Sequence, residues 1–552
     1  MFTVLWIVYA AIALAGIILY GLREFHMLQL NGYKLPEHSW WMKKNKRRYL
    51  YPALLFVLQF GLLFLKGKAA FAAGVIILAL LNAVFISVYK PGKKFKKPFK
   101  YTARVKRMLI TFGILIAIFY VIAVICGKET VTETVQTEGE YALDSMGYVT
   151  ATYWFRKAVP YIIVGSALYL TELLVPLSNI INKPIETSIN NWYINDAKRI
   201  LGECPTLHKV GITGSYGKTS MKFYLDELLN SKYNTLKTPE SFNTPMGVTI
   251  TIRNYLKPTH EYFICEMGAR RVHEIKELCD IAEPHDGIIT SIGPQHLETF
   301  GSIENVLNTK FELADCVKAK GGKIYLNGDN EYIRRKAPKY EGAILYGLQE
   351  GNNYRATDIS VSSRGTEFTA TAPDGETKRF STKLLGEHNV QNLLGAIAYA
   401  HGTGIPLDKL TLPVKRIQAV PHRLQLLDKG NGLTFIDDAY NSNPSGCRAA
   451  LAVLELFDAC RILVTPGMVE LGKKQDELNF EFGQEAAKSC DYIVLVGKEQ
   501  TKPIYNGIKD AGYDMNNVYV ADGLNDALSN VMAHQTDKKK VVLLDNDLPD
   551  NY

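Results

Sequence analysis

A chain of 552 residues has room for about three to four domains, so a large buried core is available. Its formal net charge of +8 is unevenly spread, with much of the excess before residue 110 between apolar runs, which points to an anionic membrane surface and away from nucleic acid. Eight cysteines without a C-x-x-C pair argue against a zinc framework and fit the unpaired thiols of a reducing cytosol.

The first predicted element, Phe2 to Leu22, is an uncharged apolar run long enough to cross a bilayer, and it lacks the basic start and small-residue cleavage site of a signal peptide. Four more spans are predicted at about 50–65, 69–89, 108–126 and 158–181. Segment 22–49 carries Arg23, Lys34, Lys43, Lys44, Lys46, Arg47 and Arg48, and segment 90–107 is equally rich in lysine and arginine. The positive-inside rule puts both in the cytoplasm, and the acidic loop with Glu129, Glu133, Glu138, Glu140 and Asp144 outside. Five spans with an outside N-terminus satisfy all three loops. The predicted protein is therefore multi-pass in the cytoplasmic membrane, with a membrane region 1–181, a linker 182–204 and its remaining domains on the ATP-bearing side. Glu172, inside the fifth span, is a charge in an expensive place, as a partner or cavity for it would require.

Gly211-Ile-Thr-Gly-Ser-Tyr-Gly-Lys-Thr-Ser220 leaves an apolar run, turns on glycines and opens a helix-compatible stretch. Gly214, Ser215 and Gly217 would let backbone N–H groups curl around phosphate oxygens, Lys218 would reach the terminal phosphates, and Thr219 and Ser220 supply hydroxyls, with Thr219 placed for Mg²⁺. A strict Walker A motif needs glycine at 212, where this chain has isoleucine. Downstream, β-rich runs alternate with helical ones, which predicts an α/β fold with a parallel sheet whose ligands gather at the strands' carboxyl ends. Glu266 and His296 follow two such strands, and with Thr219 they form the candidate metal set.

The loop, Cys265-Glu-Met-Gly268, His296-Leu-Glu-Thr-Phe-Gly301 and Lys310-Phe-Glu312 resemble, in this order, the motifs of the Mur ligase family, ATP-dependent enzymes that join a carboxylate to an amine. The resemblance runs from about Val210 to about Leu544 and implies a P-loop Mur-ligase central domain (about 205–420) and a Rossmann-like C-terminal domain (about 421–552) behind the helical membrane region. It implies catalytic roles for Lys218, His296, Lys310 and Asn243, with Lys310 carbamylated into an anionic oxygen donor that supports Mg²⁺. Gly386-Glu-His-Asn-Val-Gln-Asn392 resembles the adenine-contacting segment, which makes His388, Asn389 and Asn392 ATP-binding candidates, the two asparagines standing three apart on one predicted helix face. Arg423 and Asp438, the latter in Asp437-Asp-Ala-Tyr-Asn-Ser-Asn-Pro444, complete the implied nucleotide site. That last segment is close to the D-alanyl-D-alanine-adding branch of the family.

What the resemblance implies is amide formation through an acyl phosphate, with ATP and Mg²⁺ as cofactors and an amino acid or dipeptide as amine, in cell-wall precursor synthesis. Two departures bear on substrate: membrane spans stand where that branch has a soluble sugar-binding domain, and Asp545-Asn-Asp547 stands where it carries a Lys-Gly-Ser-Arg-type segment. The spans lead to the expectation of a lipid-linked carboxyl donor. A poly-amino-acid (polyglutamate-like) ligase and an ATP-driven transporter component stay open as alternatives.

Overall fold

The computed structural model describes residues 2–89, 97–137, 146–440, 443–469 and 471–547. They fall into two compact units, one running to Ile189 and one spanning Asn190–Leu548.

The first unit is helical. Three of its helices are long and apolar enough to cross a membrane: Phe2–Leu30, Lys68–Ser87 and Ala103–Gly127. Their outward faces carry Val4, Ile7, Ile18, Ile76, Ile110, Ile114 and Ile118, all exposed, whereas Tyr20, Glu24, Gln59 and Asn82 are buried inside. Such an apolar outside and polar inside suits lipid surroundings. Among the described residues three helices, or four if a bent pair counts as one span, have that length and apolarity, where the sequence predicts five spans. The run predicted at 50–65 is a short helix, Arg47–Leu58, with Pro52 inside it, tightening into a 3₁₀ turn over Gln59–Phe64. The run at 158–181 breaks near Leu170 into two helices at 68°, so the pair counts at most as one bent span. At that break Thr171 turns its hydroxyl back onto the Ala167 carbonyl (3.0 Å), a bond that bends helices, and Glu172 accepts the Tyr20 hydroxyl (2.9 Å).

The two basic segments nevertheless meet. His26 Nε2 lies 2.9 Å from the Lys97 carbonyl, and Gln29 exchanges two hydrogen bonds with the Lys100 backbone (2.9 and 3.0 Å). Lys97 and Lys100 of the second segment therefore lie beside His26 and Gln29, at the end of the first helix where the first segment begins. Arg47–Phe64 leads away from that end and Lys68–Tyr89 leads back. Lys90, Lys93, Lys94 and Lys96, and the acidic Glu138, Glu140 and Asp144, lie outside the described residues.

In the second unit the described strands form two sheets. The first holds β1 (His208–Thr213), β2 (Thr235–Lys237), β3 (Tyr262–Glu266), β4 (Asp286–Ile289), β5 (Ile324–Asn327), β6 (Ile344–Gly347), β7 (Tyr354–Ser362), β8 (Gly365–Thr371) and β9 (Thr377–Thr382), in the order 2-3-1-4-5-6-7-8-9. It is parallel from β2 to β7 and ends in an antiparallel β7–β8–β9 meander. Alternation along the central strands explains why helices cover both faces. Ile264 and Ile288 point into one core with Met221, Leu225, Leu393 and Ile397, while Phe263, Cys265 and Ile289 point into the other with Val248, Leu278, Phe311 and Leu313.

The second sheet, β10 (Gln425–Asp428), β11 (Leu433–Asp438), β12 (Cys460–Thr465), β13 (Tyr492–Val496), β14 (Val518–Ala521) and β15 (Lys540–Asp545), has the order 10-11-15-12-13-14 and is parallel except for β10. Both sheets thus present strand carboxyl ends, where the predicted site residues cluster.

Candidate active site

β1 runs directly into the phosphate loop, and Gly217, with φ of 80°, caps the helix Lys218–Leu229. The glycines are sterically required. A Cβ on Gly214 (φ 151°) would stand 2.1 Å from the Thr290 hydroxyl, and one on Gly217 would stand 2.5 Å from Asn392 Oδ1. The loop is clasped from β4: Ser215 Oγ donates to the Gly293 carbonyl and accepts from its N–H (3.2 and 3.1 Å), and the Tyr216 N–H donates to Ser291 Oγ (3.0 Å). Ser215 is thus a structural clasp, and Ser220 is buried. Lys218 folds back on the loop, donating to the carbonyls of Gly214 (2.7 Å) and Ser215 (2.9 Å). Burial lowers its pKa to about 8, helped by the charge of Arg423 and opposed by Glu266.

Glu266, at the end of β3 and 1 % exposed, is the hub. Its Oε1 accepts from the Thr219 hydroxyl (3.2 Å) and the Asn243 amide (3.0 Å). Its Oε2 forms an ion pair with the Lys222 ammonium at 3.0 Å, outside hydrogen-bond geometry, and that ammonium also donates to the Glu240 carbonyl. Thr219 and Glu266 offer hard oxygen donors, and a buried carboxylate oxygen with unfilled acceptor capacity fits Mg²⁺. Asn243 is seated by its carbonyl on the Gly268 N–H (2.8 Å). Lys222 was not evident from sequence. It stands one helical turn beyond Lys218 on the apolar face of its helix, and a lysine at such a position needs a buried anion.

His296 lies in a left-handed conformation (φ 54°) and caps the short helix Leu297–Phe300. Lys310, on the helix Ile303–Lys318, is 2 % exposed and reaches the Ala269 carbonyl (3.4 Å) just beyond Glu266. Burial holds its amine well below the ordinary lysine range, and the nearby charge of Lys218 adds to the effect. Its neighbour Glu312 serves the fold, accepting from the backbone N–H groups of His273 (3.1 Å) and Lys276 (2.9 Å) at the start of the helix Glu274–Ala282.

The two asparagines of the helix Glu387–Gly402 part company. Asn392 stands against Gly217 of the loop, whereas Asn389 is buried, accepting from the Tyr224 hydroxyl (2.8 Å) and donating to the Leu385 carbonyl (2.9 Å). The shared face predicted for them does not make one ring-binding pair, because Tyr224 draws Asn389 into the core. His388 is kept neutral by burial, its pKa lowered to about 4.

From the C-terminal sheet, Arg423 stacks its guanidinium on Tyr440, 4.3 Å from the ring centroid, and the Tyr440 hydroxyl bonds Ser241 of the first sheet's domain. Tyr440 is a second residue that motif reading passed over. Asp438, at the end of β11, is paired in register with the fully buried Asp545 of β15. Burial raises its pKa to about 7, with Asp545 adding to the shift and Arg423 opposing it. An unfolded aspartate ionises near pH ~3.9. The folded state therefore binds more protons between about pH 4 and 7, and stability falls as pH rises through that window. Asp438→Asn should flatten this fall, measured as the difference in Tm between pH 5 and pH 8 without nucleotide. An unchanged pH slope in the variant would mean that Asp438 ionises as an ordinary carboxylate.

The chain is similar to known proteins in sequence and in fold. The family model described as Mur ligase middle domain matches residues 212–400, and that described as Mur ligase, glutamate ligase domain matches residues 422–545. The UDP-N-acetylmuramoyl-tripeptide–D-alanyl-D-alanine ligase of Buchnera aphidicola subsp. Acyrthosiphon pisum is 31% identical over 306 residues, 54% of this chain and 67% of that one. The chain belongs to the Mur ligase family. The Escherichia coli enzyme of the same name is 29% identical over 335 residues, 58% of this chain and 73% of its own. A crystal structure of MurF from Acinetobacter baumannii superposes with a TM-score of 0.59 at 26% identity, covering 65% of this chain and 77% of that one. Matches to curated relatives span 57% to 73% of the relatives' lengths. As a Mur ligase the chain is an ATP-dependent enzyme forming carbon–nitrogen bonds, and its family models begin only at residue 212.

Proposed function

We propose that this Mur ligase joins the amine of D-alanyl-D-alanine to the terminal carboxylate of a muramoyl-tripeptide precursor of peptidoglycan, through an acyl phosphate. The observation that supports it most is the convergence of Lys218, Thr219, Asn243 and Glu266 from one sheet with Arg423, whose charge bears on Lys218, from the other. The relatives' names carry that tripeptide and that dipeptide. They also carry a UDP-linked donor, which has this support where the lipid-linked donor expected from the spans has none.

In this reading Lys218 leaves its loop carbonyls to neutralise charge on the transferring phosphoryl group, and Arg423 approaches it from the other side. Thr219 and Glu266 would hold Mg²⁺, which supplies charge neutralisation between the phosphates when bound. Asn243 keeps Glu266 oriented, Lys310 reaches the Ala269 carbonyl beyond the same strand, and His296 caps the short helix after β4. Asn392 stands against the loop, where the adenosine part of ATP would lie, and His388 lies one turn earlier on the same helix. Incubating the full chain with ATP, UDP-linked tripeptide and D-alanyl-D-alanine, then weighing the products, tests the whole assignment. A single product heavier by one dipeptide is expected; a ladder of products would indicate a poly-amino-acid ligase, and ATP consumption without a new amide would end the proposal.

Lys310 is proposed to act as a carbamate. Its buried amine is held well below the usual range, so the neutral form that attacks carbon dioxide is populated, and the product is an anionic oxygen donor. Lys310→Ala is expected to lose about 10²-fold or more in turnover, with partial rescue by added acetate or formate. Full activity in the unrescued variant would remove Lys310 from the site.

The ligase domains are proposed to face the cytoplasm, with both basic segments on that side of the membrane. A cysteine at Lys100 should stay unlabelled by an impermeant thiol reagent on intact cells and react after lysis. Labelling on intact cells would reverse the orientation.

A further inference from the structure

Away from the nucleotide site, the helices Glu274–Ala282 and Ile303–Lys318 lie side by side on one face of the first sheet. Glu312 and Cys316 stand one turn apart and so share a face of their helix. Glu312 uses that face to hold the start of the neighbouring helix through the N–H groups of His273 and Lys276 (3.1 and 2.9 Å). One turn further along, Cys316 lines the same cleft as Cys279 of the neighbouring helix, close enough that each thiol governs the other's ionisation. Cys279 belongs to the buried core and Cys316 packs against it half-buried. Both thiols line an open cleft of about 1110 Å³, which also takes in Lys276, Asp280, Lys320 and Lys336.

We infer that Cys316 and Cys279 form a redox-active dithiol, an oxidative modification site that peroxide closes to an intramolecular disulfide. Cys316 is the attacking thiol because it is the more open of the two. Interaction with the neighbouring Cys279 thiol lowers its pKa against the opposing effect of burial, with Lys276 assisting. Cys279 is pushed the other way, first by that same interaction and then by burial, and acts as the resolving thiol. The chemistry balances with hydrogen peroxide as oxidant. The Cys316 thiolate attacks one peroxide oxygen, the O–O bond breaks, and hydroxide leaves to be protonated, giving a sulfenic acid and water. The Cys279 sulfur then attacks the Cys316 sulfur, the S–O bond breaks, and the Cys279 proton leaves with hydroxide as a second water. Two thiols have lost two electrons, and peroxide has become two waters.

The covalent link would tie together two helices that Glu312 already joins, and Ile303–Lys318 is the helix that carries Lys310. The site is independent of the proposed substrates and is tested without them. The reduced full chain is treated with hydrogen peroxide, blocked with N-ethylmaleimide and digested without reductant. A disulfide-linked pair of peptides containing Cys279 and Cys316, lost on adding dithiothreitol, is expected. In unoxidised protein at pH 7, iodoacetamide should modify Cys316 about tenfold faster than the half-buried Cys204, as an activated thiol requires. Cys279→Ser should leave Cys316 as a sulfenic acid trapped by dimedone. Peroxide-treated wild-type protein with both thiols still free, or alkylation of Cys316 no faster than of Cys204, overturns the inference.

Discussion

Lys218→Ala is expected to lower ATP-dependent turnover by about 10³-fold while leaving the chain folded, because a positive charge aimed at a transferring phosphoryl group is lost and the glycines that shape the loop remain. Stability should not suffer. Burial has already lowered the pKa of this amine to about 8, so the folded state disfavours its charge. A group with a depressed lysine pKa costs stability as pH falls from the unfolded value near ~10.4 through the folded one, and at pH 7 alanine removes that cost. What alanine gives up are two hydrogen bonds, to the carbonyls of Gly214 and Ser215, a loss that relief of the buried charge offsets. ADP release under saturating substrates and thermal unfolding of the detergent-solubilised chain measure the two halves of the expectation. Turnover within tenfold of wild type would remove this loop from the chemistry, and a large fall in Tm would assign Lys218 a structural role instead.

Lys222→Ala should do the opposite, destabilising the ATP-binding domain by about 3–5 kcal/mol and lowering turnover only as a consequence. Lys222 is completely buried beside a carboxylate that is 1 % exposed, so removing it leaves the Glu266 charge without its cation in a low-dielectric interior. The pair by itself carries little net stability, since taking both ions out of water costs roughly what their attraction returns. In a cycle of wild type, Lys222→Met, Glu266→Gln and the double variant, the double variant should therefore recover much of the loss of Lys222→Met, giving a coupling energy of a few kcal/mol. Urea denaturation of the four proteins gives that number directly. Additive effects of the two substitutions would show that Lys222 and Glu266 do not interact, and that the carboxylate is held by Thr219 and Asn243 alone.

Much of the centre was legible because its signals are local. The turn Gly214–Gly217 has to be glycine-rich wherever a backbone curls around phosphates, and strand ends in a parallel sheet are where ligands gather, so Lys218, Thr219 and Glu266 could be named from a few consecutive residues each. The membrane-length helices Phe2–Leu30, Lys68–Ser87 and Ala103–Gly127 were legible for the same reason, since length and apolarity are additive along the chain.

What only the tertiary structure decided are relations between distant residues. Periodicity put Asn389 and Asn392 on one face, but whether an asparagine looks outward or into the core depends on a partner, and Tyr224 from another helix took Asn389. Apolarity over 158–181 could not reveal the bend, which follows from Thr171 bonding back to Ala167 and from Glu172 finding Tyr20, a residue 152 positions away. Lys222 and the Cys279–Cys316 pair carry no motif at all, and the motif that contains Tyr440 does not say what its ring meets. A buried ion pair, a ring under a guanidinium and two thiols lining one cleft each arise when packing desolvates groups that the sequence keeps far apart, and desolvation is a property of the folded surroundings rather than of any residue by itself.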